Sequence, residues 1–311
     1  MPSWVVVGPG DDAAVIEHER GALDVLTTDA QVEGVHFDRR FMPPEAIGHR
    51  ALAVNLSDLA AMGARPRAAL LSLALPDDLE IDVLDGVVEG LLGLAALHGV
   101  TLIGGNVTRS PGPMMIDVTV TGTVGRRRVL TRGGARPGDE VYVTGAIGDA
   151  AAGLAALQEH GGAGPPELRE GIERFLRPEP RIRAGLLLGR NRAASACMDL
   201  SDGLADGLRQ IAAASEVGIA IDAASLPISA GVRRWHDARG ADPVMAAVAG
   251  GDDYELLFTV RPTRRGRLRA VRRVLGSLAL TRIGLVTASR ELRVTRPEGT
   301  SPLPEGYEHF R

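Results

Sequence analysis

Apolar residues within 50–66, RALAVNLSDLAAMGARP, fall at Leu52, Leu56, Leu59 and Met62, the spacing of one face of an α-helix. Asn55 and Asp58, three apart, share another face of that predicted helix, and Gly63 and Pro66 supply its stop signals. The same period predicts helices over residues 81–98, capped by Gly99, and over 150–160, 167–175 and 181–191, with another following MDLSDGLADGL at 198–208. Short apolar or alternating runs predict strands at residues 4–7, at 23–28 with Asp29 closing the run and a continuation to Phe37, and at 70–75 and 100–103. Further strands are expected at 114–124, where Ile116, Val118 and Val120 alternate, and at 140–144, 252–260 and 280–286. The turn-rich GGARPG at 133–138 marks the expected boundary between two domains, 1–137 and 138–311. Strands and helices mix in both halves, so the fold class is α/β or α+β, and no repeat of about 20 to 50 residues suggests a solenoid.

The length of 311 residues suits two domains, and a 45% hydrophobic content with only 3% aromatics predicts Ala/Val/Leu cores. A net charge of -4, from 35 basic and 39 acidic residues, gives no polyanion-binding field, which argues against nucleic acid as a partner. Lysine is absent, a bias typical of GC-rich coding, and its absence excludes Schiff-base chemistry and a Walker-type P-loop. Cys197, the single cysteine, sits among small residues and reads as a packed thiol; no internal disulfide or cysteine-based zinc site is possible. The N-terminus lacks the basic-then-apolar pattern of a signal peptide, and no apolar run approaches the roughly 20 residues that span a bilayer. A soluble, cytoplasmic protein is expected.

Within this balance the carboxylates cluster. Asp11 and Asp12 sit on a glycine turn, which superficially fits a dinucleotide fingerprint, although residues 13–17, AAVIE, look like strand rather than helix. Thr27, Thr28 and Asp29 end an apolar strand; Asp199 and Asp202 bracket Leu200–Ser201; Asp252, Asp253 and Glu255 come after two glycines. Each alone is equally a solvated turn or a helix cap. Together with Asp58, which is costly to bury on an Ala-rich helix unless a cation meets it, they suggest carboxylates converging on several divalent cations that would neutralise a polyphosphate. For His36, Arg109 and Arg132 two readings stand, a structural bond or a contact to phosphate or substrate.

The segments GPGDDAAV, TTDAQVEGVHF, NLSDLAAMGARP, GGNVTRS, LTRGGARPGD, VTGAIGDAAAGL, MDLSDGL and GGDDYELLFTV occur in this order. So arranged, the chain resembles the thiamine-monophosphate kinases, within the aminoimidazole ribonucleotide synthetase superfamily that also holds selenophosphate synthetases and hydrogenase-maturation proteins. The likeness spans nearly the whole chain; VEGVHF and NLSDLAAMGA are its more specific parts. It implies a two-domain fold whose N-terminal sheet forms a barrel across a homodimer, with a C-terminal α/β domain covering the site. It implies direct transfer of the ATP γ-phosphoryl to thiamine phosphate, giving thiamine diphosphate and ADP.

Carried over by motif, Asp12, Thr27, Thr28, Asp29, Asp58, Asn106, Asp199 and Asp202 are the implied Mg²⁺ ligands, with Asp29, Asp58 and Asp202 carrying the transfer. Gly105, Asn106, Arg132 and Ser201 match ATP-contacting positions; His36, Glu255 and Tyr307 match substrate-contacting ones, Phe310 being an alternative aromatic to Tyr307. Two departures stand out: Asn106 occupies a position where the family usually has Asp, and the chain begins almost at the first glycine loop, where the family usually carries a further helix and strand. The rival readings are another ATP-dependent member of the superfamily and a non-catalytic Mg-nucleotide-binding regulator.

Overall fold

A computed structural model describes residues 1–162 and 164–306. A short antiparallel pair, β1 (Val5–Val7) and β2 (Val15–Ile16), opens the chain. It leads to β3 (Ala22–Val32), helix α1 (Pro44–Ala61), β4 (Arg65–Pro76), α2 (Ile81–His98), β5 (Thr101–Ser110) and β6 (Met115–Gly125). The four strands form one sheet in the order β3-β6-β4-β5, with β4 and β5 parallel and the other pairs antiparallel.

The second half comprises β7 (Glu140–Thr144), α3 (Asp149–His160), α4 (Arg169–Leu176), α5 (Ile182–Arg190), β8 (Ala196–Asp199) and α6 (Leu204–Ser215). Then come β9 (Gly218–Asp222), α7 (Ala230–Asp237), α8 (Pro243–Ala249), β10 (Leu256–Val260), α9 (Arg265–Leu275), β11 (Leu280–Thr287), β12 (Leu292–Arg296) and β13 (Gly299–Pro302). Its seven-stranded sheet runs β13-β12-β9-β11-β7-β10-β8, and the β9–β12 pair is the parallel one. Mixed sheets with helices between and around them bear out the α/β, α+β reading.

α1 begins earlier than its periodicity predicts, because Pro43–Pro44 starts it with a proline at the first helical position. It is also buried almost all round rather than along one stripe: Asn55 and Ser57 are as inaccessible as Leu52 and Leu56. The reason is its place between the two sheets. One apolar cluster joins α1 to Val118 and Val120 of β6 on one side and to Cys197 of β8 and Leu256 and Phe258 of β10 on the other. The opposite face of the seven-stranded sheet, with Val141, Val143, Met198 and Leu257, packs on α6 to α8 in a second cluster. Cys197 is a buried thiol, as expected.

α2 lies against α1 at backbone distance. A Cβ on Gly48 would stand 1.7 Å from the Val87 carbonyl oxygen, and one on Gly90 would stand 1.9 Å from that of Glu45. Two strands outrun their sequence signals. β3 continues through Asp29 because it pairs with β6 along its full length, and β5 takes in GGNVTRS because β4 pairs with it to Ser110. Conversely, residues 251–255 are irregular and only Leu256–Val260 is strand. No helix among the described residues is long and apolar enough to cross a membrane.

Candidate active site

A cavity of about 970 Å³ opens where the last two turns of α1 meet β3 and the segment after β8. Asp29, His36, Asp58, Asp199, Ser201 and Asp202 all line it. The pleat explains part of this convergence. Period two places Thr27 and Asp29 on the face of β3 turned to α1, and Thr27 Oγ1 donates to Asp58 at 2.5 Å. Thr28 therefore falls on the other, exposed face, where its hydroxyl meets Asp117 at 3.1 Å and Thr119 at 3.0 Å. From the other half, Asp199 ends β8 and accepts a 2.7 Å hydrogen bond from Ser57 Oγ, a fully buried hydroxyl one residue before Asp58.

Burial raises the pKa of these carboxylates, and Asp58 adds repulsion at Asp29 and Asp199. Burial, with repulsion from Asp58 and Asp117, lifts Asp29 to about 6. Asp199, only 5% exposed, is lifted to about 7 by burial and by Asp58, against the Ser57 bond and the Arg132 charge. Asp58 is raised by burial too, with the Thr27 bond and Arg132 working in the opposite direction. Negative charge is thus concentrated in low-dielectric surroundings, and the positive charge of Arg132 partly offsets it at Asp58 and Asp199. Among the described residues no three acidic, His or Cys side chains close a cage around a single ion. A hard cation that keeps its own waters and takes phosphate oxygens fits such a donor set, since Mg²⁺ is usually held by one or two carboxylates plus substrate.

The remaining sequence candidates are distributed differently. Asp12 is exposed in the loop between β1 and β2, its amide bonded to Asp11 at 2.8 Å. Gly105 and Asn106 lie on the β5 edge and line a second cavity, of about 500 Å³, with Leu84, Asp85, Val88 and Glu89. His36 Nδ1 accepts from the Val32 amide at 3.0 Å, which leaves Nε2 as the protonated nitrogen of the neutral ring. Glu255 is 1% exposed and committed inward: Arg181 donates to both its oxygens, at 2.6 and 2.7 Å, and Thr144 donates at 2.5 Å. Tyr307 and Phe310 lie outside the described residues; Glu305 and Gly306 line the cavity.

Sequence reasoning passed over Ser57, Arg50 and Tyr254, and met Asp252 only as part of an acidic cluster. Arg50, Asp252 and Tyr254 line the cavity as well. The one available signal for Arg50 was a charged residue two turns before Asp58 and directly before the apolar run at residues 51–54.

Two family models, AIR synthase related protein N-terminal domain and C-terminal domain, match residues 10–124 and 136–296. The fold and the acid-lined site therefore define a protein of the AIR synthase related class. Hydrogenase maturation protein HypE in complex with ATP shares the fold at TM-score 0.78 and 20% identity, covering 96% of this chain and 89% of that one. Much closer is thiamine-monophosphate kinase of Escherichia coli strain K12, 42% identical over 98% of this chain and 92% of the relative. The Bacillus subtilis strain 168 enzyme is 38% identical over 99% and 95%. The crystal structure of thiamine-monophosphate kinase from Stenotrophomonas maltophilia K279a superposes at TM-score 0.85, with 39% identity over 94% of this chain and 91% of that one. AaThiL complexed with AMPPCP and TMP superposes at 0.83, with 36% identity over 97% and 91%. The chain belongs to the thiamine-monophosphate kinase family.

Proposed function

We propose that this chain transfers the γ-phosphoryl of ATP directly to thiamine phosphate, yielding thiamine diphosphate and ADP, with Mg²⁺ held by Asp29, Asp58 and Asp199 and by Asp202 beside them. The observation that carries the reading is the meeting of Asp29, Asp58 and Asp199 from three elements in one cavity, each with its carboxyl pKa raised. Bound there, Mg²⁺ supplies charge neutralisation between two polyanions. The chain's own contribution is orientation: Thr27 fixes the Asp58 carboxylate and Ser57 fixes Asp199. The acceptor is a phosphate oxygen already ionised at neutral pH, so the transfer needs no general base. His36 lines the cavity with its ring orientation set by the Val32 amide, which suits a substrate contact.

The smaller cavity suits the adenine of ATP. Its apolar wall from Leu84 and Val88 fits a flat base, and Asp85 and Glu89 suit an exocyclic amine rather than a phosphate. It stands at the β5 edge, whereas the acids stand beside the β3 edge, at opposite sides of one sheet. A homodimer in which β5 of one protomer meets β3 of the other brings base and acids together. The outward face of the sheet supports it, because Leu26 is 68% and Val107 67% exposed. With this reading go the domain division at 137/138 and a cytoplasmic location, where ATP is at hand.

Thiamine diphosphate formation from Mg-ATP and thiamine phosphate, followed by chromatography, tests the reading. Product made by the wild type and lost in Asp58→Ala supports it. No product from a wild type that still binds Mg-ATP overturns it in favour of a regulator.

A further inference from the structure

Arg50 stands two turns before Asp58 on α1 and is 3% exposed. Everything it holds belongs to the other half of the molecule. Nη1 donates to the Phe175 carbonyl at 2.9 Å, and Nη2 donates to Oδ1 of Asp252. The guanidinium lies 4.7 Å from the centre of the Phe175 ring and 5.5 Å from that of Tyr254. A buried cation held by two hydrogen bonds and two aromatic rings, though its Nε has no hydrogen-bond partner among the described residues, fixes the geometry of its partners.

Those partners need fixing. Asp252 and Tyr254 have φ of 69° and 48°, the left-handed region that non-glycine residues enter at a cost. Their amides in turn hold the loop after β8: Asp252 donates to the Ser201 carbonyl at 2.6 Å and Tyr254 to that of Leu200 at 2.9 Å. A continuous chain of contacts therefore runs from α1 through Arg50 and the 252–254 turn to Ser201 and Asp202. The same helix carries Asp58.

We propose that Arg50 is a positioning residue that clamps the left-handed turn at 252–254 and thereby sets the distance between Asp58 and the Ser201–Asp202 loop. The kinetic part rests on the phosphotransfer reading above; the backbone part does not. A side chain that merely fills space there would be replaceable by one of equal volume.

Three variants separate these roles: Arg50→Met keeps the volume, Arg50→Lys keeps the charge without the planar fork, and Asp252→Asn removes the partner's charge. Amide hydrogen exchange is read peptide by peptide in the full chain, with Mg-AMPPCP affinity and kcat and KM alongside. In Arg50→Met, amides at 252–254 are expected to exchange at least tenfold faster while β10 keeps its protection. Mg-AMPPCP binding weakens severalfold, and kcat falls at least tenfold with KM for thiamine phosphate within about twofold. Arg50→Lys falls between, and Asp252→Asn added to it changes exchange little further, since both break one link. Unchanged exchange at 252–254 in a folded Arg50→Met overturns the proposal. So does equal loss of protection in β10, or, if that variant fails to fold, wild-type exchange in both Arg50→Lys and Asp252→Asn. A wild type without kinase activity would instead remove the phosphotransfer reading and leave the exchange result to decide on the clamp.

Discussion

Asp199 is a carboxylate that the fold holds at its own expense. Asp29 and Asp199 titrate at about 6 and 7 when folded, against an ordinary 3.8, so between roughly pH 4 and 7 the folded chain binds more protons than the unfolded one. Without metal, this pair makes stability decline with rising pH across that window and leaves it lowered above it. Asp199→Asn keeps an acceptor for Ser57 and removes the charge. We expect it to raise the thermal midpoint of metal-free protein at pH 8 by a few degrees, to change little at pH 4, and to lower activity by about 100-fold or more. Melting curves in EDTA at the two pH values check the first part; a midpoint lowered at pH 8 would show that Asp199 is not a repelled charge. The acids were legible in the sequence because most border glycines or predicted strand ends, and Asp58 because a carboxylate is costly to bury on an Ala-rich helix. Ser57 and Arg50 were not. A hydroxyl or guanidinium is committed to burial only when distant chain supplies the partner, here Asp199 for the one and Asp252 for the other.

Among the elements, α2 matches its predicted bounds, because its stripe of apolar residues and its left-handed cap Gly99 are both local signals. α1 and β5 do not. A helix enclosed by two sheets carries no polar stripe to mark its start, and β5 owes its length to backbone pairing with β4 rather than to its own side chains. Nor did the sequence reveal why Gly48 and Gly90 stand in helices, where glycine is unfavourable. The contact they permit between α1 and α2 explains them. Gly90→Ala gains helix propensity yet forces the helices apart, and we expect a net destabilisation of about 2 kcal/mol or more, read from urea midpoints. Gly93→Ala on the same helix, where a new Cβ meets nothing within 4 Å, is the control and should stabilise slightly. If both variants behave alike, the close crossing is not what these glycines serve.

At the scale of the whole molecule, the two-domain α/β plan could be read from the sequence, whereas the placing of the two cavities at opposite sheet edges could not, since a strand's neighbours are a property of topology. The proposed dimer makes a direct prediction here. Leu26→Asp or Val107→Asp puts charge on an outward face that a monomer leaves in water, so a monomer would tolerate it. We expect these variants to sediment as monomers with nearly unchanged secondary structure and to lose activity together with assembly. Dimers that persist would place the interface elsewhere. The position of α1 between the sheets also bears on how the polypeptide is made. Its first covering layer, β3 to β6, leaves the ribosome with it, but the second is built from Ala196–Asp199 and Leu256–Val260, which are translated much later. Through that interval the nascent chain carries a helix greasy on its uncovered side and bearing Asp58 in its last turn. Synthesis rather than equilibrium stability is then the stage at which this protein is most exposed to aggregation, and the stage at which a holding chaperone has the most to protect.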